Sequence, residues 1–326
     1  MGPGYEGSAV AIQPSTGKIL AMASNPGYNP NDLMGDSAEE TWANLQEQEG
    51  QPLVNHAGAE TLPPGSIFKI ITTAAGLNNG FDPSSTLTGS NVITLPDTVT
   101  ELTNYANQKC NGQDAVTLQT AFALSCNTAF VEMSEQLGAD ELRKYAKAFG
   151  VGENYDLGVS TSAGTLGDLP DGAATAQSAI GQRDVTMTAL QAAVMAGTVA
   201  NKGTRMQPYL VNRITDAQMK DVRTTKPKKA DQAVNEETAA TLTDLMYASE
   251  RSSWGYDGNG FASKTGTAEH GEGLAPHVWY VAFDPERDIA VGVVVKNGGN
   301  LGESATGGKV SGPIGRAILR AYQGEQ

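Results

Sequence analysis

The chain has 326 residues, and its 22 Lys and Arg against 36 Asp and Glu give a formal net charge of −14. We expect no nucleic-acid partner, because phosphate contacts need clustered Lys and Arg. The two cysteines form no Cys-x-x-Cys pair and the three histidines are scattered, so the sequence predicts neither a metal site nor a cofactor. The weakly polar stretch 186–200 is too short to span a bilayer.

The first predicted element is a β-hairpin over 8–24, since two apolar runs flank a Pro-Ser-Thr-Gly turn. An irregular stretch follows, with one short helix around 39–48. A Pro-Pro-Gly segment then interrupts the chain. Apolar residues at helical spacing predict a helix from Ser66 to Leu77.

The middle of the chain is predicted to be mostly helical. Its predicted elements are a strand over 91–95, helices at 116–124, 127–137 and 139–149, a loop over 150–175, and a helix over 185–201.

The last third is rich in β-branched and aromatic runs, which are typical of strands. The predicted elements are strands at 209–214, 260–264, 278–283 and 289–295, a solvated loop at 224–230, a turn at 284–288, and helices at 235–248 and 312–322.

This order of sheet, helices and sheet predicts an α+β fold. An antiparallel sheet would be built from both chain ends and flanked by helices, with a mostly helical subdomain inserted. We expect a single domain over 1–326. Its α/β lobe would comprise about 1–75 and 205–326, and its helical subdomain about 76–204.

Three short motifs carry residue types suited to acyl transfer. Ser66 and Lys69 are three residues apart, so on a helix they share a face. A buried Lys can lose its proton near neutral pH and then activate a Ser hydroxyl as nucleophile. The alternative is an ordinary serine cap followed by a surface lysine.

The second motif, Ser125-Cys126-Asn127, places a hydroxyl and an amide two residues apart between helices, although a helix cap would explain it equally well. The third motif runs from Lys264 through Thr265 and Gly266 to Thr267. Here a glycine lies in a predicted strand, which permits a close backbone approach. An edge strand of this kind can bind an extended peptide.

Taken together, S-x-x-K, S-x-N and K-T-G in this order form the signature set of penicillin-binding proteins and active-site serine β-lactamases. The chain therefore resembles the transpeptidase domain of penicillin-binding proteins from the first hairpin to the last helix. Gly181-Gln182 and the segment 277–283 also look like that family. The segment 124–130, together with Cys110, resembles the actinobacterial class B group that includes penicillin-binding protein A.

The resemblance implies a role for each motif residue. Ser66 would be the acylated nucleophile and Lys69 its proton acceptor. Ser125 would relay protons, and Asn127 would position the donor peptide. The remaining roles are electrostatic bias from Lys264, substrate contact by Thr265, Gly266 and Thr267, and an oxyanion hole formed by the backbone N–H groups of Ser66 and Thr267.

The implied function is a peptidoglycan D,D-transpeptidase that cross-links stem peptides ending in D-Ala-D-Ala through a serine acyl-enzyme and is inhibited by β-lactam antibiotics. We expect the outer face of the cytoplasmic membrane as its location, with an N-terminal membrane anchor and a non-catalytic region before this chain. Cell-wall synthesis proteins would be its partners, in cell division or cell shape.

Cys110 and Cys126 lie 16 residues apart. They are either two buried free thiols or a disulfide, which would contribute about 3 kcal/mol on the chain-entropy model. A bridge would fix the loop that carries Ser125, so we expect Cys126→Ser to lower acylation.

Several alternatives remain open at this point. A D,D-carboxypeptidase differs only in passing the acyl group to water, and a β-lactam-sensing domain would acylate without turnover. A class A β-lactamase needs a Glu-x-x-Leu-Asn loop, and the nearest acidic loop, 153–157, does not match it. The chain has no Gly-x-Ser-x-Gly elbow of a Ser-His-Asp hydrolase, and Gly307-Gly308-Lys309 lacks the Ser or Thr of a P-loop.

Overall fold

The computed structural model describes residues 2, 4–271 and 273–324. Both ends of the expected range 1–326, together with Pro3 and Glu272, lie outside the described residues.

The strands within the described residues are β1 (Gly7–Gln13), β2 (Lys18–Asn25), β3 (Thr86–Thr88), β4 (Val92–Thr94), β5 (Glu101–Thr103), β6 (Ala115–Thr117), β7 (Thr204–Met206), β8 (Arg213–Thr215), β9 (Asp221–Thr224), β10 (Lys229–Gln232), β11 (Ala262–Ala268), β12 (His277–Asp284) and β13 (Ile289–Val295). The helices there are α1 (Ala38–Glu47), α2 (His56–Ala59), α3 (Lys69–Leu77), α4 (Leu118–Leu124), α5 (Asn127–Ala148), α6 (Gly172–Ala179), α7 (Ala189–Ala200), α8 (Glu236–Ser252) and α9 (Ser311–Gly324).

A five-stranded antiparallel sheet organises the molecule, in the order β11-β12-β13-β1-β2. β1 pairs on one side with β2, its partner in the predicted hairpin, and on the other with β13 from the far end of the chain. The prediction of one sheet built from both chain ends is therefore confirmed. β11, which carries the Lys-Thr-Gly motif, lies at the edge of this sheet.

Helices cover both faces of the sheet, which explains why β12 and β13 are buried along their whole length. Side chains alternate between the faces of a strand. Val281 and Phe283 of β12 thus join the main core with α3 and α7, whereas Ala282 belongs to a second apolar cluster that includes Leu319 of α9. α7 falls within the predicted helical subdomain, yet it packs on the central sheet. The lobe boundary near residue 204 remains a prediction.

The helical region contains α3, α5 and α6, and two small two-stranded antiparallel sheets, β3–β6 and β4–β5, pack against α5. The predicted break between helices at 127–137 and 139–149 is confirmed, because Gly138 has non-helical angles inside α5 (φ 73°, ψ 169°). The helix predicted from Ser66 begins as a 3₁₀ turn at Gly65–Phe68 and becomes α-helical at Lys69.

Three sequence predictions are wrong in part. The loop predicted over 150–175 ends early, because Asp171 caps α6 by accepting a hydrogen bond from the Ala174 N–H at 2.7 Å. The predicted strand 209–214 is instead a bridge at Tyr209 and the short strand β8. Part of the predicted loop 224–230 forms β10, which pairs with β7 through its backbone.

We predict that Gly292→Ala destabilises the fold by about 1–3 kcal/mol, the usual cost of overpacking a core. A Cβ at residue 292 of β13 would lie 2.6 Å from both the Ala189 carbonyl oxygen and the Ala193 nitrogen of α7. Urea unfolding measures the loss. Gly260→Ala, where a Cβ meets nothing within 4 Å, is the control and should unfold at the wild-type midpoint. Equal midpoints for both variants would contradict the close approach of α7.

Candidate active site

A cleft of about 920 Å³ opens between the edge strand β11 and the helical region. Residues from all three sequence motifs line it: Ser66, Ser125, Asn127, Thr265 and Thr267. Ser66 and Ser125 lie 59 residues apart along the chain, and Ser125 and Thr265 lie 140 apart, yet all three line one surface.

Ser66 lies in a 3₁₀ turn that is pressed against β11. Gly65 has a positive φ of 53°, and a Cβ there would lie 2.7 Å from the Thr267 carbonyl oxygen. On the strand, a Cβ at Gly266 would lie 2.7 Å from the Pro64 carbonyl oxygen. Glycine on both sides is thus what allows the backbone around Ser66 to approach the backbone around Thr267.

Lys69 follows Ser66 by one turn and is fully buried. Its Nζ donates hydrogen bonds to the Ser125 carbonyl oxygen at 2.7 Å and to Asn127 Oδ1 at 2.8 Å. Burial, reinforced by the nearby Lys264 cation, holds the pKa of Lys69 well below its usual value. A neutral amine has two N–H groups, which these two acceptors occupy, and a lone pair that can take a proton.

Lys264 reaches the same hydroxyl from β11. It is fully buried, and its Nζ donates to Ser125 Oγ at 2.9 Å and to the Thr265 carbonyl oxygen at 3.0 Å. Burial lowers the pKa of Lys264 to about 7. Ser125 Oγ also lies 3.3 Å from Lys69 Nζ, so this hydroxyl joins the two amines and can pass a proton between them.

Two aromatic rings from the helical region provide the apolar surroundings of these amines. Phe130 of α5 has its ring centroid 5.1 Å from Lys69 Nζ, and Phe122 of α4 lies 5.7 Å from Lys264 Nζ. A ring face attracts a cation while it excludes water. The rings therefore lower the solvation of both amines and still tolerate a proton on one of them.

The Ser125 loop has an unusual backbone conformation. Ser125 ends α4 with left-handed angles (φ 61°, ψ 39°), which are costly for a residue with a side chain. Cys126 is joined by a disulfide to Cys110, with the two Cα atoms 5.7 Å apart, and Asn127 Nδ2 donates to the Thr103 carbonyl oxygen at 3.1 Å. These two attachments hold the loop directly after its strained residue.

Sequence reasoning missed most of the cleft walls. The hairpin end 101–107 forms one wall, and the end of α8 and the turn 306–308 form another, with Trp254 60% exposed beside them. None of these segments carries a motif. Gln182 also lines the cleft, and the family resemblance is the one signal in the sequence that points to it.

Among residues 2, 4–271 and 273–324, no group of three or more His, Cys, Asp and Glu side chains is arranged to hold a metal ion.

Comparison with known proteins agrees with this geometry. Residues 7–320 match the family model of the penicillin-binding protein transpeptidase domain. The chain belongs to this family. Its α+β fold, with an antiparallel sheet flanked by helices, is the fold of penicillin-binding protein A, as the structural comparisons below show.

This penicillin-binding protein domain is 45% identical to the peptidoglycan D,D-transpeptidase PbpA of Mycolicibacterium smegmatis over 329 residues, which cover 97% of this chain and 66% of that protein. It is 42% identical to the Mycobacterium tuberculosis protein of the same name, over 98% of this chain and 68% of that one. The chain thus spans about two thirds of the length of these relatives.

Solved structures of penicillin-binding protein A from M. tuberculosis are closely similar. The ceftriaxone acyl-enzyme complex has a TM-score of 0.94 at 42% identity, covering 97% of this chain and 74% of that one. The penicillin G acyl-enzyme complex has a TM-score of 0.93 at 42% identity, covering 98% and 75%.

We predict that Lys264→Met moves the acidic limb of the pH profile of acylation to higher pH by about one unit. The Lys264 cation lowers the pKa of Lys69, so its removal raises that pKa and leaves fewer neutral Lys69 amines at a given pH. Rapid-mixing measurements with a fluorescent penicillin between pH 5 and 10 give the profile. Lys264→Arg, which keeps the charge, is the control, and an unmoved limb in the Met variant would refute the coupling.

We predict that Cys126→Ser and Cys110→Ser each lower the acylation rate several-fold, because either change frees the loop that carries Ser125. Each should also lower the free energy of unfolding by about 3 kcal/mol. Acylation kinetics and urea unfolding are measured on both variants. Cys110 lies outside the Ser-x-Asn motif, so a loss confined to Cys126→Ser would assign the effect to that side chain and not to the bridge.

Proposed function

We propose that the chain is a serine D,D-transpeptidase that cross-links peptidoglycan stem peptides ending in D-Ala-D-Ala. The observation that carries this proposal is the convergence of two buried lysines on Ser125 in a cleft that Ser66 lines. The names of the curated relatives and the acyl-enzyme structures support the same reaction.

Acylation begins when Ser66 Oγ attacks the penultimate D-alanine carbonyl and Lys69 takes the hydroxyl proton. The carbonyl oxygen then becomes negative and is stabilised by the backbone N–H groups of Ser66 and Thr267. The close approach of the Ser66 turn to β11 supports this pairing. Such a donor contributes roughly 3–4 kcal/mol in other enzymes.

The proton on Lys69 passes through Ser125 to the leaving amine, and terminal D-alanine departs. Thr265 and Thr267 contact the substrate carboxylate, Lys264 biases the site electrostatically, and Asn127 positions the donor peptide along the edge strand. An amine of a neighbouring stem then attacks the Ser66 ester. It loses its proton by the same route in reverse and leaves Ser66 free.

β-Lactams enter as substrate mimics and remain as an ester on Ser66.

We place the protein on the outer face of the cytoplasmic membrane, where peptidoglycan lies, with cell-wall synthesis proteins as partners in cell division or cell shape. A 27% identical chain in a peptidoglycan synthase complex that coordinates polymerisation and crosslinking, with a TM-score of 0.82, supports such partners. None of the helices in the described residues has the length and apolar character needed to cross a membrane.

The test is intact mass after incubation with benzylpenicillin, followed over hours. We expect one equivalent of adduct that persists in the wild type and is absent from Ser66→Ala, because the ester forms on the Ser66 hydroxyl. Circular dichroism shows that the variant is folded.

An adduct that disappears while the drug is hydrolysed would indicate a β-lactamase instead. The absence of any adduct in folded wild-type protein would refute the proposal. A second incubation, with a D-Ala-D-Ala peptide and an amine acceptor, separates transfer from hydrolysis. Release of D-alanine without a cross-linked product would identify a carboxypeptidase.

A further inference from the structure

A fully buried carboxylate lies behind the strand that carries Lys264. Glu250, near the end of α8, accepts a hydrogen bond at Oε1 from Arg316 Nε of α9 at 2.6 Å, and Arg316 is 2% exposed. Asn259 Nδ2 donates to the same oxygen at 3.0 Å. Removing either residue of such a buried pair would leave the other as an uncompensated charge, so the surrounding network depends on both residues.

The other oxygen of Glu250 reaches the sheet. Oε2 accepts hydrogen bonds from Ser263 Oγ of β11 and from the Tyr280 hydroxyl of β12, the latter at 2.9 Å. Ser263 directly precedes Lys264, and successive side chains of a strand point to opposite faces. Ser263 is therefore attached to Glu250 on one face of β11, while Lys264 extends to Ser125 on the other.

The same ion pair reaches the cleft wall. Arg316 Nη1 donates to the Trp254 carbonyl oxygen at 3.1 Å, and Trp254 lines the cleft beside Thr265. One buried pair thus contacts both the strand and the turn that form this side of the site.

We propose that the Glu250–Arg316 pair, acting through Ser263, is a positioning device that holds β11 and Lys264 in place for acylation. This inference rests on the proposed function. Among the described strands, β11 is an edge strand that pairs with β12 alone, so none of them fixes its outer side. Its lateral position decides whether Lys264 Nζ reaches Ser125 Oγ, and Glu250 binds the adjacent residue from behind.

The test compares two variants that each remove one donor from the same Glu250 oxygen. Ser263→Ala removes the donor on β11, and Tyr280→Phe removes the donor on β12, which does not line the cleft. We expect similar losses in melting temperature. The second-order rate constant for acylation by benzylpenicillin should fall roughly fivefold in Ser263→Ala and stay within about twofold of wild type in Tyr280→Phe.

The pH profile supplies a readout that mere destabilisation does not change. If β11 moves, Lys264 retreats from Lys69, the pKa of Lys69 rises, and the acidic limb of acylation moves to higher pH in Ser263→Ala. Tyr280→Phe should keep the wild-type limb. Ser263→Cys, which retains a weaker donor, should give a rate and a limb between those of wild type and Ser263→Ala, and it also serves if the alanine variant does not fold.

Equal acylation by the Ser263 and Tyr280 variants, or an unmoved acidic limb in the Ser263 variants, would overturn the positioning role. In either case a wild-type benzylpenicillin adduct would leave the proposed function standing. A folded wild-type protein that forms no adduct would overturn both the proposed function and this inference.

Discussion

Two fully buried lysines that share one serine hydroxyl form the constraint on which the rest of the structure depends. Among the described residues, neither Lys69 nor Lys264 forms an ion pair with a carboxylate, so burial of both in charged form would cost several kcal/mol. The fold avoids this cost by favouring the neutral form of the amines. It also provides each lysine with hydrogen-bond acceptors on Ser125 or next to it. The pKa values of the two lysines are therefore set by how the surrounding residues pack.

That packing is assembled from three directions. α3 brings Lys69, the edge strand brings Lys264, and the turn after α4 brings Ser125. Close backbone contact at Gly65, Gly266 and Gly181 lets these elements meet, since a Cβ at residue 181 would lie 2.1 Å from the Gly65 carbonyl oxygen. The chemistry requires short distances between elements that are distant in sequence, and glycine is what makes those distances possible.

Much of the fold could be predicted from the sequence because its central strands and long helices have strong apolar patterns. The motif residues could be identified as well. Ser66 or Asn127 alone indicates no function, and only the combination of the three motifs does. The cleft walls could not be predicted, because the 101–107 hairpin end and Trp254 are mostly exposed and follow no periodicity. The strand predicted over 209–214 was wrong in part because Leu210 and Val211 are exposed, whereas such an apolar run usually indicates a buried strand.

The pairing of β1 with β13 has a consequence for how the molecule is made. A ribosome releases the β1–β2 hairpin well before β13, the other neighbour of β1, which is completed about 280 residues later, at Ile289–Val295. Until then one edge of β1, a strand buried along almost its full length, has no partner. The nascent chain must keep this edge from pairing with other chains, so productive folding waits for the C-terminal strands.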